Sequence, residues 1–267
     1  MFELYEAAGN RFVLHDARAF THAELDVPVL ARELCAPDAV REGWQADGLL
    51  ILSADVGSDA AMQIYNADGS RAEACGNGLR CVAWHLLRGV ERDACVIETD
   101  CGVRRARIVE REEQGALLST ELGVARTVDL SRALAGSCGA LPATVVDVGN
   151  PHCVLEVADE RAVDLALLAR TVQAHPDFPQ GVNVGVVAPR GGRWYLRVHE
   201  RGVGETEACG TGACAAASAL ERHARAAFPI TLHLPGGPLV IERTADGVLA
   251  LTGPVRSLGS AAFAREA

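Results

Sequence analysis

The sequence predicts an α+β fold built as two similar halves, and three observations carry that expectation. Short segments rich in β-branched residues, bounded by Gly, Pro or Asp, recur along the whole chain. Helical patterns are few, about Gly78–Val90, Val163–His175 and Gly212–Ala227, which argues against a regular strand–helix alternation. The hexapeptide Glu73-Ala74-Cys75-Gly76-Asn77-Gly78 returns as Glu207-Ala208-Cys209-Gly210-Thr211-Gly212, an offset of 209 − 75 = 134 in a chain of 267 residues.

The strand-like segments include Phe12–Leu14, Gly48–Leu52, Cys95–Thr99, Thr144–Val148 and Cys153–Val157. Further on they are Asn183–Val187, Trp194–Val198, Ile230–Leu234 and Leu239–Glu242. The last helical pattern is expected to end before Pro229. A hydrophobic share of 49% and a charged share of 22% are those of a globular chain able to bury a core. The net charge of −10 leaves no basic footprint for nucleic acid or an anionic membrane. No apolar run approaches the roughly 18 residues that span a bilayer. The first ten residues carry Glu3 and Glu6 and no basic segment, so a cytoplasmic protein is expected.

Two compositional features bear on chemistry. All 25 cationic residues are arginine, so neither a lysine Schiff base to pyridoxal phosphate nor a Walker-type phosphate loop can be built. Nine cysteines, an odd number without a CxxC pair or a zinc spacing, argue for thiols in a reducing compartment and for no bound metal. Most of them are expected to be inert buried residues.

The duplicated motif has its own chemical logic. A strand and a turn lead to cysteine, and Gly-x-Gly then opens a helix of small residues. The sulfur is thereby placed at a helix N-terminus, whose positive end favours thiolate. The glycines let a carboxylate approach the unpaired backbone amides. With the halves related by a pseudo-two-fold axis, two sulfurs would flank one carbon. One thiolate could then remove an α-proton while the opposing thiol returns one to the other face, with no cofactor required. The plainer alternative, a small residue where packing is tight, would have to hold at both copies.

Residues Asn66–Ser70 and Cys75–Cys81 resemble the first signature of the diaminopimelate epimerase family, and Glu200–Gly212 resembles the second. Gly149-Asn150-Pro151-His152-Cys153 and Phe178–Val184 are similar to two further family segments, and the resemblance runs from about Gly9 to Pro254. It implies two α+β domains, each a barrel-like, mostly antiparallel sheet around a central helix, with the active site between them. The expected domains are residues 1–118, with 255–267 returning to them, and 119–254. The implied reaction is pyridoxal-independent interconversion of LL- and meso-diaminopimelate for lysine and cell-wall synthesis, by an enzyme that is commonly a homodimer.

By the same resemblance Cys75 and Cys209 are the acid/base pair, and His152 and Glu205 the polar partners beside the thiols. Asn10, Asn66, Asn150, Asn183, Glu200 and Arg201 fall on substrate-contacting positions, with Arg201 offering a fork to the distal carboxylate and Glu200 a charge or carbonyl to the distal ammonium. The Gly76-Asn77 and Gly210-Thr211 amides fall on the carboxylate cradles. The chain departs from the family where Ala7–Phe12 replaces a His-Gly-Leu-Gly-Asn-Asp-Phe run, so that Arg11 stands for an acid, and at Gly43-Trp44-Gln45. Two alternatives stay open: a racemase of another amino acid with the same two thiols, and a redox switch in which Cys75 and Cys209 pair. Cys81 and Cys214 are expected to pack inside helices. Cys35, Cys95, Cys101, Cys138 and Cys153 carry no assigned role.

Overall fold

A computed structural model describes residues 1–18, 26–72, 75–136 and 139–262. Glu73 and Ala74 of the first motif, and Cys138, lie outside the described residues. The elements run in the order β1 (Phe2–Ala7), β2 (Asn10–Asp16), α1 (Val27–Leu34), β3 (Gly48–Ser53), β4 (Ala60–Asn66) and α2 (Gly76–Leu87). Next come β5 (Ala94–Glu98), β6 (Arg104–Arg111), β7 (Gly115–Gly123), β8 (Arg126–Gly136), β9 (Gly139–Asp147) and β10 (Pro151–Glu156). A 3₁₀ turn (Glu160–Ala162), α3 (Leu165–Gln173), β11 (Asn183–Arg190), β12 (Arg193–Glu200), β13 (Gly204–Thr206) and α4 (Gly210–Arg222) follow. The chain ends with β14 (Ile230–Leu234), β15 (Gly237–Arg243) and β16 (Leu249–Ala261).

Two compact units divide the chain: Met1–Glu121 with Thr252–Ala267, and Leu122–Leu251. In the first, strands β1 to β7 neighbour one another in sequence order, and β16 lies between β7 and β1, so the sheet closes on itself. In the second the order is β15-β14-β12-β11-β10-β9-β8, with β13 paired to β12. Most pairs are antiparallel. The parallel pairs are β2–β3, β4–β5, β10–β11 and β12–β14, and one α-helix lies between the strands of each. A parallel connection must carry the chain back along the sheet, and a helix is the economical way to do so.

The run β1-β2-α1-β3-β4-α2-β5-β6 therefore has the same connectivity as β9-β10-α3-β11-β12-α4-β14-β15, with the β13 hairpin added in the second. Helices α1 and α3 are amphipathic and cover one side of a sheet. Leu30, Ala31 and Leu34 are buried in one, and Leu165, Leu168, Ala169 and Val172 in the other. Helices α2 and α4 are buried nearly all round, α2 against β1 to β6 and α4 against β9 to β12, β14 and β15. Helix α4 fills its enclosure with small side chains, Gly-Thr-Gly-Ala-Cys-Ala-Ala-Ala, whereas α2 also buries the larger Leu79, Arg80 and Trp84.

The helices differ from the sequence reading: α2 ends at Leu87 rather than Val90, and two further differences are larger. Helix α1 is an additional element, started by Asp26, whose carboxylate accepts from the Val29 N–H, and by Pro28 in its first turn. Helix α4 stops at Arg222 rather than Ala227, because Ala224 takes a left-handed φ of +53° and the Arg225 N–H turns back onto the Leu220 carbonyl at 2.8 Å. Among the described residues no helix is long and apolar enough to cross a membrane.

Candidate active site

Cys75 and Cys209 occupy the same local position in their respective units. Each is the N-cap of the enclosed helix, in extended backbone geometry, and each sulfur accepts the N–H of the glycine three residues on: Gly78 at 3.3 Å and Gly212 at 3.4 Å. The glycines sit in close quarters. A Cβ on Gly78 would lie 2.8 Å from Leu50 Cδ2, and one on Gly212 would lie 2.9 Å from Val198 Cγ2 and 3.3 Å from the Cys209 sulfur.

In the first unit the start of α2 is held from within. Asn77 is buried; its amide donates to Asn10 Oδ1, and its carbonyl accepts from Arg80 Nη2 at 2.6 Å. Arg80 itself is 0% exposed and also caps the carbonyls of Gly76 and Pro254. Asn10 additionally reaches Asp47, whose carboxylate accepts the Arg11 backbone N–H at 2.7 Å. The Arg11 side chain faces Glu6. Asn66, at the end of β4, bonds to the Ser70 hydroxyl across its turn. Arg80 was not singled out from the sequence; its place one turn after the Gly-Asn-Gly segment was the available signal.

In the second unit six of the sequence-predicted residues gather in one polar cluster. His152 on β10 faces Asn183 on β11. Its Nε2 lies 3.1 Å from Asn150 Oδ1, 3.0 Å from Thr211 Oγ1 and 3.5 Å from Asn183 Nδ2. With a carbonyl oxygen at Asn150, Nε2 carries the hydrogen and donates it to either Asn150 Oδ1 or Thr211 Oγ1; when Thr211 accepts it, the threonine hydroxyl can turn its own proton to the Cys209 sulfur, 3.5 Å away. The His152 Nδ1 is buried with no hydrogen-bond partner in the protein. Burial holds the ring's pKa down to about 3, so His152 is neutral at physiological pH. Asn183 Oδ1 accepts the Arg201 backbone N–H at 2.8 Å. The Arg201 stem lies over Gly181, and its guanidinium donates to the Gln180 carbonyl.

Two expectations are corrected at Cys209. The helix end was to lower its pKa, yet burial first, and then the Glu200 carboxylate, push the thiol well above its ordinary value. The Thr211 hydroxyl and the Gly212 N–H pull the other way and are outweighed. The thiol of a cysteine only 4% exposed loses more hydration than one helix terminus returns. The acid beside this thiol is Glu200, which was expected at the distal ammonium; Glu205, expected at the thiol, is instead forked by Arg197 at 2.7 and 2.8 Å. Adjacent strand positions face opposite ways, and Glu205 is paired with His199 across the hairpin, on the other side from Glu200.

The remaining described cysteines are thiols. Burial raises Cys35, Cys95 and Cys153 to about 12 and Cys81 further still, which makes them poor nucleophiles. Among the described residues no group of three or more His, Cys, Asp or Glu side chains is gathered to hold a metal ion.

Twin units, each with a cysteine capping an enclosed helix, make up the fold, and solved structures share it. A predicted epimerase from Pseudomonas aeruginosa has a TM-score of 0.75 over 99% of this chain and 99% of that chain, at 20% identity. A hydroxyproline epimerase from Agrobacterium vitis, with bound trans-4-hydroxy-L-proline, has a TM-score of 0.70 over 97% of this chain and 89% of that one, at 16% identity. Sequence relatives are nearer. The diaminopimelate epimerase of Synechocystis sp. is 38% identical over 97% of both chains, and that of Desulfitobacterium hafniense 36% identical over 92% of both. The diaminopimelate epimerase family model matches residues 4–128 and 144–258. The chain belongs to the diaminopimelate epimerase family and is an isomerase.

Proposed function

We propose that this protein interconverts LL- and meso-diaminopimelate without pyridoxal phosphate, with Cys75 and Cys209 as its two acid/base groups. One observation carries the reading: each cysteine caps its own enclosed helix, with the sulfur on the N–H of the glycine three residues on. A substrate α-carboxylate fits the backbone amides of Gly76-Asn77 or Gly210-Thr211, where the helix end favours negative charge. As one sulfur takes the α-proton, the electron pair left behind is drawn toward that carboxylate, and preorganised amides meet the growing charge. The other sulfur then gives its proton to the opposite face, and the stereocentre inverts.

Cys209 is suited to rest as a thiol and donate. When it acts as the base, Glu200 is placed to stabilise or relay the proton, and the neutral His152–Thr211 pair orients the sulfur. Arg201 is the cation for the distal carboxylate, and Asn10, Asn66, Asn150 and Asn183 are the substrate-contacting amides. The same reading makes the protein a cytoplasmic homodimer, as the family resemblance implies; light scattering of the purified protein tests the dimer.

The test is epimerisation of LL-diaminopimelate in D₂O under reductant, with no pyridoxal phosphate or metal added. Deuterium should enter the α-carbon, and Cys75→Ala and Cys209→Ala should each lose inversion by three orders of magnitude or more. Wild-type turnover by either variant would overturn the two-thiol mechanism. Turnover of a monoamino acid with none of diaminopimelate would overturn the substrate.

A further inference from the structure

Arg197 of β12 spends its whole guanidinium on two separate segments of the chain. Nε and Nη2 fork onto Glu205 of β13 at 2.7 and 2.8 Å, while Nη1 caps the carbonyls of Glu160 at 2.6 Å and Val163 at 3.1 Å. Those carbonyls belong to the 3₁₀ turn and to the residue just before Asp164, the N-cap of α3. Arg197 thus ties the β12–β13 hairpin to the start of a packed helix.

The hairpin needs such a tie. Strand β13 is three residues long, holds β12 through three residue pairs, follows a turn with Gly202 at φ +79° and itself opens on Gly204 at φ +110°. A ladder that short is weak by itself. Its two faces have different tasks. On the inner face Val198 packs at Gly212, and Glu200, steadied by the Thr206 hydroxyl at 2.7 Å, meets the Cys209 thiol. On the outer face stand Arg197 and Glu205. Any slip or tilt of the hairpin that the outer fork resists would move the inner carboxylate away from the sulfur.

We propose that Arg197, with Glu205 as its counter-charge, is a positioning residue for the reaction: from the outer face it sets the aim of Glu200 at Cys209. The inference rests on the roles given above to Glu200 and Cys209. The bland reading is a surface ion pair worth less than about 1 kcal/mol. It predicts no effect on chemistry.

The experiment compares the full chain with Arg197→Gln, Glu205→Gln and Arg197→Lys. Three quantities are measured: the melting temperature, kcat and KM for LL-diaminopimelate, and the pH profile of iodoacetamide labelling at Cys209, read by peptide mass spectrometry. Both glutamine variants should lose roughly 10- to 100-fold in kcat with KM little changed, the scale of a misplaced reacting group. Cys209 should label at lower pH once the carboxylate no longer holds its proton, and Arg197→Lys, which keeps a charged donor opposite Glu205, should retain part of both. Unchanged kcat and labelling, or a loss of activity accounted for by the unfolded fraction, would overturn the proposal. Should the wild type fail to turn over diaminopimelate, the proposed function falls, and the labelling profiles still decide the clamp.

Discussion

His152 is 1% exposed, and its enclosure holds the imidazole pKa at about 3, against 6.5 for an open chain. Between those two values an unfolded chain binds a proton that the folded chain refuses. Unfolding therefore becomes easier as pH falls through this window. Above pH 6.5 both states are neutral, and the contribution is fully retained. A depression of roughly 3.5 pH units at about 1.4 kcal/mol each limits the loss to about 5 kcal/mol; at pH 5 it amounts to about 2 kcal/mol. His152→Gln removes the titration while keeping a polar group beside Asn150 and Thr211. Urea unfolding of both proteins at pH 7, 6 and 5 isolates the effect, because every carboxylate contributes equally to the two curves. The stability gap between wild type and variant should move by about 2 kcal/mol, against the wild type, from pH 7 to pH 5. Nitrogen NMR should show a neutral ring protonated at Nε2 throughout. Parallel stability curves, or a ring titrating near 6.5 in the folded protein, would refute both the burial argument and the neutral relay to Thr211.

Gly212→Ala should cost about 1 kcal/mol, since crowding of about 1–3 kcal/mol against the stiff Val198 methyl and Cys209 exceeds the gain in helix propensity of about 1 kcal/mol. It should also lower activity more than Gly78→Ala, whose nearest neighbour is the flexible end of Leu50; chemical denaturation and kcat for both variants check this. Ala224→Gly should stabilise the protein by about 0.5–1 kcal/mol by relieving the left-handed φ at the end of α4, measured as a higher urea midpoint with kcat unchanged.

The sequence by itself determined what local pattern and duplication can specify. Cys75 and Cys209 before Gly-x-Gly mark two helix starts. The β-branched runs from Phe12 to Glu242 fall on strands, and the small residues after Cys209 announce a helix enclosed on all sides. The family resemblance brought Asn150, His152, Asn183, Thr211 and Cys209 into one set, although they are far apart in sequence. Helix α1 carried a start signal in Asp26 and Pro28, but eight residues are too few for a periodic pattern to stand out. Tertiary structure decided the rest. Glu200 and Glu205 have the same side chain five positions apart, and only the pairing of β12 with β13 settles which one reaches the sulfur. Spacing cannot foresee that Arg197 and Arg80 spend their guanidinium groups on distant carbonyls, because those carbonyls arrive from other elements. The Cys209 thiol shows the limit most sharply. A helix terminus is a local property that sequence predicts, but hydration is removed by everything packed around the atom, and that loss is the larger of the two.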